Sequence, residues 1–193
     1  MNQPLILAST SPYRRQLLEK LGLRFAAASP GVDERREVGE PPEALASRLA
    51  TEKAQAVAQR FPEHLVIGSD QVAELDGELL GKPLTRENAI GQLRRCSGRA
   101  VRFHTAVCVV NAATGETRME IDLCVVVFRP LTEAQIGRYV DREHPYDCAG
   151  SFKSEGLGIA LFERIEGDDP NALVGLPLIR LTRLLEAFGV EVL

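Results

Sequence analysis

Two long β runs, residues 100–111 and 117–128, constrain the fold more than any other part of the chain. The connection between them carries A-T-G-E, whose Gly115 suits a tight turn. A hairpin of that length makes antiparallel neighbours, because parallel strands need a longer crossover. Elsewhere strand and helix signals alternate. A hairpin set into an alternating chain predicts a mixed α/β fold, arranged as two lobes with a cleft between them.

The flanking elements read as follows. L-I-L-A (5–8) is a short buried strand, and Ser11 then Pro12 is a helix start, an N-cap followed by proline in the first turn. Leu17, Leu18 and Leu21 give that helix an apolar face and Gly22 stops it. Residues 24–28 form a second strand, 42–60 the longest helical pattern, and 65–70 a buried strand ending in polar residues. Asp76-Gly77 is a hairpin turn signal. Thr85 opens a helix that ends near Gly98, and Thr132 with Gln135 is a capping box for a helix to about 143. Residues 157–163 read as a further strand, and Pro177 to Phe188 as the last helix, closed by Gly189. The polar stretch 29–43 is long for a simple connection, which marks it as an active-site loop.

Composition narrows the function. The chain has 193 residues, with 23 Lys+Arg against 27 Asp+Glu and a net charge of −4. Proteins that bind a nucleic-acid backbone usually carry a basic excess, so a polymer partner is disfavoured. Cys96, Cys108, Cys124 and Cys148 form no C-x-x-C pair, and His64, His104 and His144 show no metal spacing. Reduced cysteines, no basic leader before L-I-L-A, and no stretch near the roughly 20 apolar residues of a membrane span all point to the cytoplasm.

Several polar residues stand where packing does not want them. From the helix at 42–60 onward, Leu45, Leu49, Lys53, Val57 and Phe61 step by four, so Lys53 lies on or beside a buried stripe. It is either a lysine snorkelling at the stripe's edge or a cation aimed into a cleft. Asp70 ends an apolar strand, as a strand-end carboxylate bonding its own backbone or as one lining a ligand crevice. In S-T-S-P-Y-R-R (9–15), a helix start with Ser9, Ser11, Arg14 and Arg15 favours an anion, although a capped helix with solvated arginines has the same composition. G-K-P (81–83) is no Walker A motif, yet Lys82 is held in a defined turn. No G-x-G-x-x-G is present, so a Rossmann dinucleotide site is unsupported.

Taken in order, L-I-L-A-S-T-S-P-Y-R-R-Q-L-L-E-K-L-G (5–22), V-D-E (32–34), E-K-A (52–54), I-G-S-D-Q-V (67–72), G-K-P-L-T (81–85) and C-A-G-S-F-K-S-E-G (148–156) resemble the Maf family of nucleoside triphosphate pyrophosphatases, over nearly the whole chain. The resemblance implies a mixed, elongated sheet with flanking helices in two lobes around a cleft, with residues 1–193 as a single catalytic domain. It implies hydrolysis of a nucleoside triphosphate to the monophosphate and pyrophosphate with a divalent cation, Mg, Mn or Co. It assigns Asp70 as proton acceptor, Glu34 and Asp70 to the metal, and Ser9, Arg14, Arg15, Lys53 and Lys82 to the triphosphate.

Within the family, Tyr13, Gln71 and Glu155 resemble the YceF branch, which prefers 7-methyl-GTP, rather than the branch that cleaves dTTP and UTP. The YceF branch usually carries Trp at position 13. Tyr13 keeps an aromatic face for a cationic methylated base, and Glu155 can accept hydrogen bonds from a guanine edge. The alternatives are a dTTP/UTP or other non-canonical nucleotide pyrophosphatase, and a division-related regulatory protein that binds nucleotide. The partners implied are a small-molecule nucleotide and a second copy of the chain in a homodimer, with neither nucleic-acid polymer nor membrane.

Overall fold

The run L-I-L forms β1 (Leu5–Leu7), buried throughout. A computed structural model of the chain describes residues 3–193. Ser11 caps α1 (Pro12–Glu19): its hydroxyl accepts the Arg14 backbone N–H at 3.3 Å, and Pro12 occupies a position where a missing N–H costs nothing. Gly22, at φ +67°, turns the chain towards β2 (Phe25–Ala27). Next come α2 (Pro42–Ala58) and β3 (Leu65–Leu75). Asp76 and Gly77, at φ 49° and 85°, are both left-handed, as a D-G turn requires, and lead into β4 (Glu78–Leu80).

Thr85 caps α3 (Arg86–Cys96). The two long β runs are β5 (Ala100–Asn111) and β6 (Thr117–Phe128), with the bounds expected of them. The Thr132–Gln135 capping box is formed at the start of α4 (Glu133–Glu143). The chain ends with β7 (Phe162–Glu166) and α5 (Leu178–Ala187). The sheet order is β2-β1-β3-β5-β6-β7, with β4 paired to β3. Pairing is parallel for β1 with β2 and β3, and antiparallel for β3–β4 and β6–β7. The fold is therefore mixed α/β.

Two compact units share the chain. The first comprises the described residues up to Gln71, His104–Asp122 and Asp169–Leu193. Its core joins Leu5, Leu7, Leu17 and Leu18 to Leu65, Ile67, Val107, Val109 and the α5 residues Leu181, Leu184 and Leu185. The second comprises Val72–Phe103 and Leu123–Asp168. There α3 packs on α4, and Phe103, Phe128, Phe152 and Phe162 form an edge-to-face cluster.

Two expectations need correction. The strand at 65–70 continues to Leu75, so Asp70 lies mid-strand rather than at an end. Pairing of Ala73, Glu74 and Leu75 with β4 prolongs the ladder. The strand expected at 157–163 begins only at Phe162, after a 3₁₀ turn over Leu157–Leu161. The Gly158 N–H bonds back to the Lys153 carbonyl at 3.0 Å, and a Cβ on Gly158 would lie 2.2 Å from that oxygen. The chain curls there because glycine permits it.

Candidate active site

Gly68 lets α2 approach β3 closely. A Cβ on Gly68 would lie 2.2 Å from the Ala50 carbonyl oxygen and 2.7 Å from the Ala54 nitrogen. Asp70, two residues on, faces the same side of the strand. Lys53 therefore meets it: Nζ is 2.6 Å from Asp70 Oδ1, and Lys53 is only 4% exposed against 7% for Asp70. A second carboxylate closes on the same ammonium, with Glu34 Oε1 2.6 Å from Nζ. This settles Lys53 as a buried, paired cation rather than a snorkelling one. Burial pushes the Asp70 carboxyl above its ordinary value. Lys53 and Arg14 pull it down without offsetting the burial, and Glu34 adds to the rise. The direction favours a proton acceptor, since it narrows the gap to neutral pH.

Glu34 reaches Lys53 because its loop is pinned to α2. Arg48 on α2 donates to both Glu40 oxygens, at 2.7 and 2.9 Å, and to the Arg35 carbonyl at 3.0 Å. The Glu37 N–H adds a bond to Glu40 at 3.1 Å, and Arg36 donates to the Glu40 carbonyl at 2.7 Å. The loop at 29–43 thus places a carboxylate at the cluster.

The start of α1 contributes the next group. The Ser9 hydroxyl is buried and accepts the Ser11 N–H at 3.1 Å. Arg14 donates from Nε to the Gly175 carbonyl at 2.8 Å. Burial lowers the Arg14 pKa, and Asp70 and Glu34 partly restore it. Arg14 therefore lies in the field of both carboxylates. Tyr13 is half-buried beside it, and Arg15 is exposed.

Asp70's neighbours on β3 face a segment that the sequence reading did not single out. The Ser69 hydroxyl lies 2.8 Å from the Ala106 carbonyl and 3.0 Å from that of Gly175. The Gln71 amide nitrogen donates to Thr105 Oγ1 at 3.0 Å and to the Ala172 and Leu173 carbonyls at 2.9 and 3.0 Å. This commits the Gln71 nitrogen and leaves its amide oxygen as the atom for other partners. The available signal was D-D-P-N-A-L-V-G-L-P (168–177), where Asp, Asn, Pro and Gly cluster between apolar runs.

Lys82 and Glu155 belong to the second unit. Lys82 is exposed on a turn fixed from both sides by α3: Gln92 donates to the Gly81 carbonyl at 3.0 Å, and Asn88 to the Pro83 carbonyl at 2.9 Å. It lines a hollow of about 330 Å³ with Glu87, Gln92 and Arg95. Glu155 is exposed on a loop braced by Lys153, whose Nζ donates to the Glu143 carbonyl at 2.9 Å.

The donor set suits a divalent cation. Among the described residues no three His, Cys, Asp or Glu side chains group closely enough to hold a metal by themselves. Glu34 and Asp70 both close on the Lys53 ammonium, and a cation such as Mg²⁺, commonly held by one or two carboxylates together with substrate phosphate oxygens, would share these two carboxylates with it.

The mixed α/β fold recurs in solved structures. The Ham1 protein of Staphylococcus aureus superposes with a TM-score of 0.53 at 16% identity, covering 96% of this chain and 100% of its own. The HAM1 protein of Coxiella burnetii gives 0.52 at 14% identity with the same coverage. By sequence the chain belongs to the Maf-like protein family, whose model matches residues 4–188. A 7-methyl-GTP pyrophosphatase of Methylobacillus flagellatus is 56% identical over 190 residues, which covers 98% of this chain and 99% of that protein. Among the described residues no helix is long and apolar enough to cross a membrane.

Proposed function

We propose that the chain is a cytoplasmic nucleoside triphosphate pyrophosphatase that hydrolyses 7-methyl-GTP to 7-methyl-GMP and pyrophosphate. The observation that carries this reading is the cluster of Lys53 between Asp70 and Glu34. Desolvation makes such a cluster a poor stabilising device, so its use lies in chemistry. The relative named 7-methyl-GTP pyrophosphatase, at 56% identity over nearly the full length, supports the substrate.

The reaction consumes one water and breaks the bond between the α- and β-phosphates. Asp70 holds the water and takes its proton. Lys53 and Arg14 neutralise charge that builds on the phosphate oxygens, and Arg14 does so through the nitrogens not committed to Gly175. Ser9 and the open N-terminus of α1 add donors for the triphosphate. Arg15 and Lys82 supply further cations from exposed positions. A divalent cation, Mg, Mn or Co, held by Glu34 and Asp70 would supply positive charge against the phosphate oxygens and acidify water. Tyr13 offers a ring face to the methylated, cationic base, while the Gln71 amide oxygen and the Glu155 carboxylate accept from its edge.

The test is a panel. Pyrophosphate release is followed with 7-methyl-GTP, GTP, dTTP and UTP, and kcat/KM for 7-methyl-GTP is expected to exceed the others by at least about tenfold. A maximum at dTTP or UTP moves the chain to the other branch. No release from any nucleotide overturns the enzymatic reading.

A further inference from the structure

We propose that Asp169 is a positioning residue for this reaction: it fixes the 169–177 segment, whose carbonyls set Arg14, Ser69 and Gln71 around Asp70. The inference rests on the reading that Arg14 meets the triphosphate.

Asp169 is 2% exposed and uses both carboxylate oxygens. Oδ1 accepts from the Asn171 N–H at 2.8 Å and from Asn171 Nδ2 at 3.0 Å, while Oδ2 accepts from the Ile179 N–H at 2.6 Å. One side chain therefore ties the beginning of the segment to the first turn of α5. The charge suits that place, since a helix start favours an anion and bonds to a carboxylate are stronger than neutral ones.

Between these anchors lies a 3₁₀ turn, Ala172–Val174, followed by Gly175 at φ +122°. That conformation is closed to ordinary residues. The turn aims its carbonyls outward: Ala172 and Leu173 at Gln71, Ala172 also at Thr105, and Gly175 at Arg14 and Ser69. Ser69 and Gln71 are the two chain neighbours of Asp70, so the segment holds β3 on both sides of the proton acceptor.

For Arg14 the consequence is directional. The guanidinium is attracted by Asp70 and Glu34. The bond from Nε to Gly175 holds it off those carboxylates and keeps its terminal nitrogens free for phosphate. A slack segment lets Arg14 close on the carboxylates and occupy the space the phosphate needs.

The experiment is a double-mutant cycle. Asp169→Asn is made alone and in an Arg14→Ala background, and kcat/KM for 7-methyl-GTP is measured well below each variant's melting temperature. Asp169→Asn is expected to lower kcat/KM by about tenfold or more with Arg14 present, and by a factor at least about threefold smaller without it, the remainder being what the bonds to Ser69 and Gln71 carry. A merely structural role lowers the melting temperature alike in both backgrounds and costs activity by the same factor in both, and that result overturns the proposal. If Arg14→Ala itself leaves kcat/KM unchanged, the reading of Arg14 fails and this inference falls with it. Should Asp169→Asn not fold, Asn171→Ala carries the same cycle, because it loosens the segment while keeping the bond from Ile179 to Asp169.

Discussion

The Lys53 ammonium lies 2.6 Å from the Asp70 carboxylate across the contact of α2 with β3, with both groups almost out of water. Attraction within such a pair largely goes to offset desolvation, so the intact pair adds little stability. Breaking it is different, because one buried charge is left without its partner. Lys53→Met is expected to cost about 3 kcal/mol, at the lower end for such losses because Arg14 still faces Asp70. The double variant with Asp70→Asn should recover most of that cost. Urea unfolding measures both, and a loss under about 1 kcal/mol in Lys53→Met contradicts the account.

Asp70→Asn alone separates chemistry from folding. The amide has the shape of the carboxylate and can still accept from Lys53, but it cannot take a proton from water. Turnover should fall by more than about a hundredfold, while circular dichroism stays native. Near-normal pyrophosphate release in this variant would falsify the assignment of Asp70 as proton acceptor.

What the sequence made legible follows the range of each interaction. The cap of α1 by Ser11, the D-G turn before β4 and the capping box of α4 are bonds between near neighbours, and all are found where the residues announce them. The end of β3 depends on pairing with β4, and the curl before β7 depends on Gly158 meeting Lys153, so neither could be read locally. Lys53 and Asp70 stood out because they interrupt apolar patterns. The 169–177 segment did not, since it acts through backbone carbonyls, which every residue carries.

Gly68 determines how near α2 comes to β3, and hence whether Lys53 reaches Asp70. A methyl group there meets backbone, the Ala50 oxygen and the Ala54 nitrogen, rather than a side chain that could swing away. Gly68→Ala should therefore push α2 outward, at a cost of about 3 kcal/mol or somewhat more. Activity should fall further than the loss of folded protein explains, because Lys53 moves with the helix. Thermal unfolding paired with kcat at low temperature tests this, and an unchanged kcat would show that the spacing is not needed.

Acid should loosen the loop that carries Glu34. The Arg48 guanidinium holds the Glu40 carboxyl down to about 2, from an ordinary value of 4.5. A carboxyl depressed in the folded state contributes stability that is present above its unfolded pKa and is lost as pH falls towards the folded one. The clamp is therefore intact above about pH 4.5 and weakens progressively towards about pH 2. Glu40→Gln should lie below the wild type in melting temperature near neutral pH and converge with it in acid. Parallel curves across that range would remove Glu40 from the clamp.

The loop bearing Glu155 is held firmly enough for its charge to be tested without disturbing the fold. On one side the Phe152 ring packs against Phe162, Phe103 and Phe128, with centroids 4.8, 5.3 and 5.7 Å away. On the other, the Lys153 N–H donates to the Tyr139 hydroxyl at 3.0 Å, and its ammonium holds the end of α4. Glu155→Gln is an exposed change and should alter stability by no more than about 0.5 kcal/mol. It exchanges a carboxylate that can only accept for an amide that also donates, so the ratio of kcat/KM for 7-methyl-GTP over UTP should fall by about tenfold or more. Phe152→Ala should instead cost about 3–5 kcal/mol and blur the same ratio, because the loop loses its anchor. A Glu155→Gln enzyme with the wild-type ratio would place base selection elsewhere, with Tyr13 and Gln71 the next residues to change.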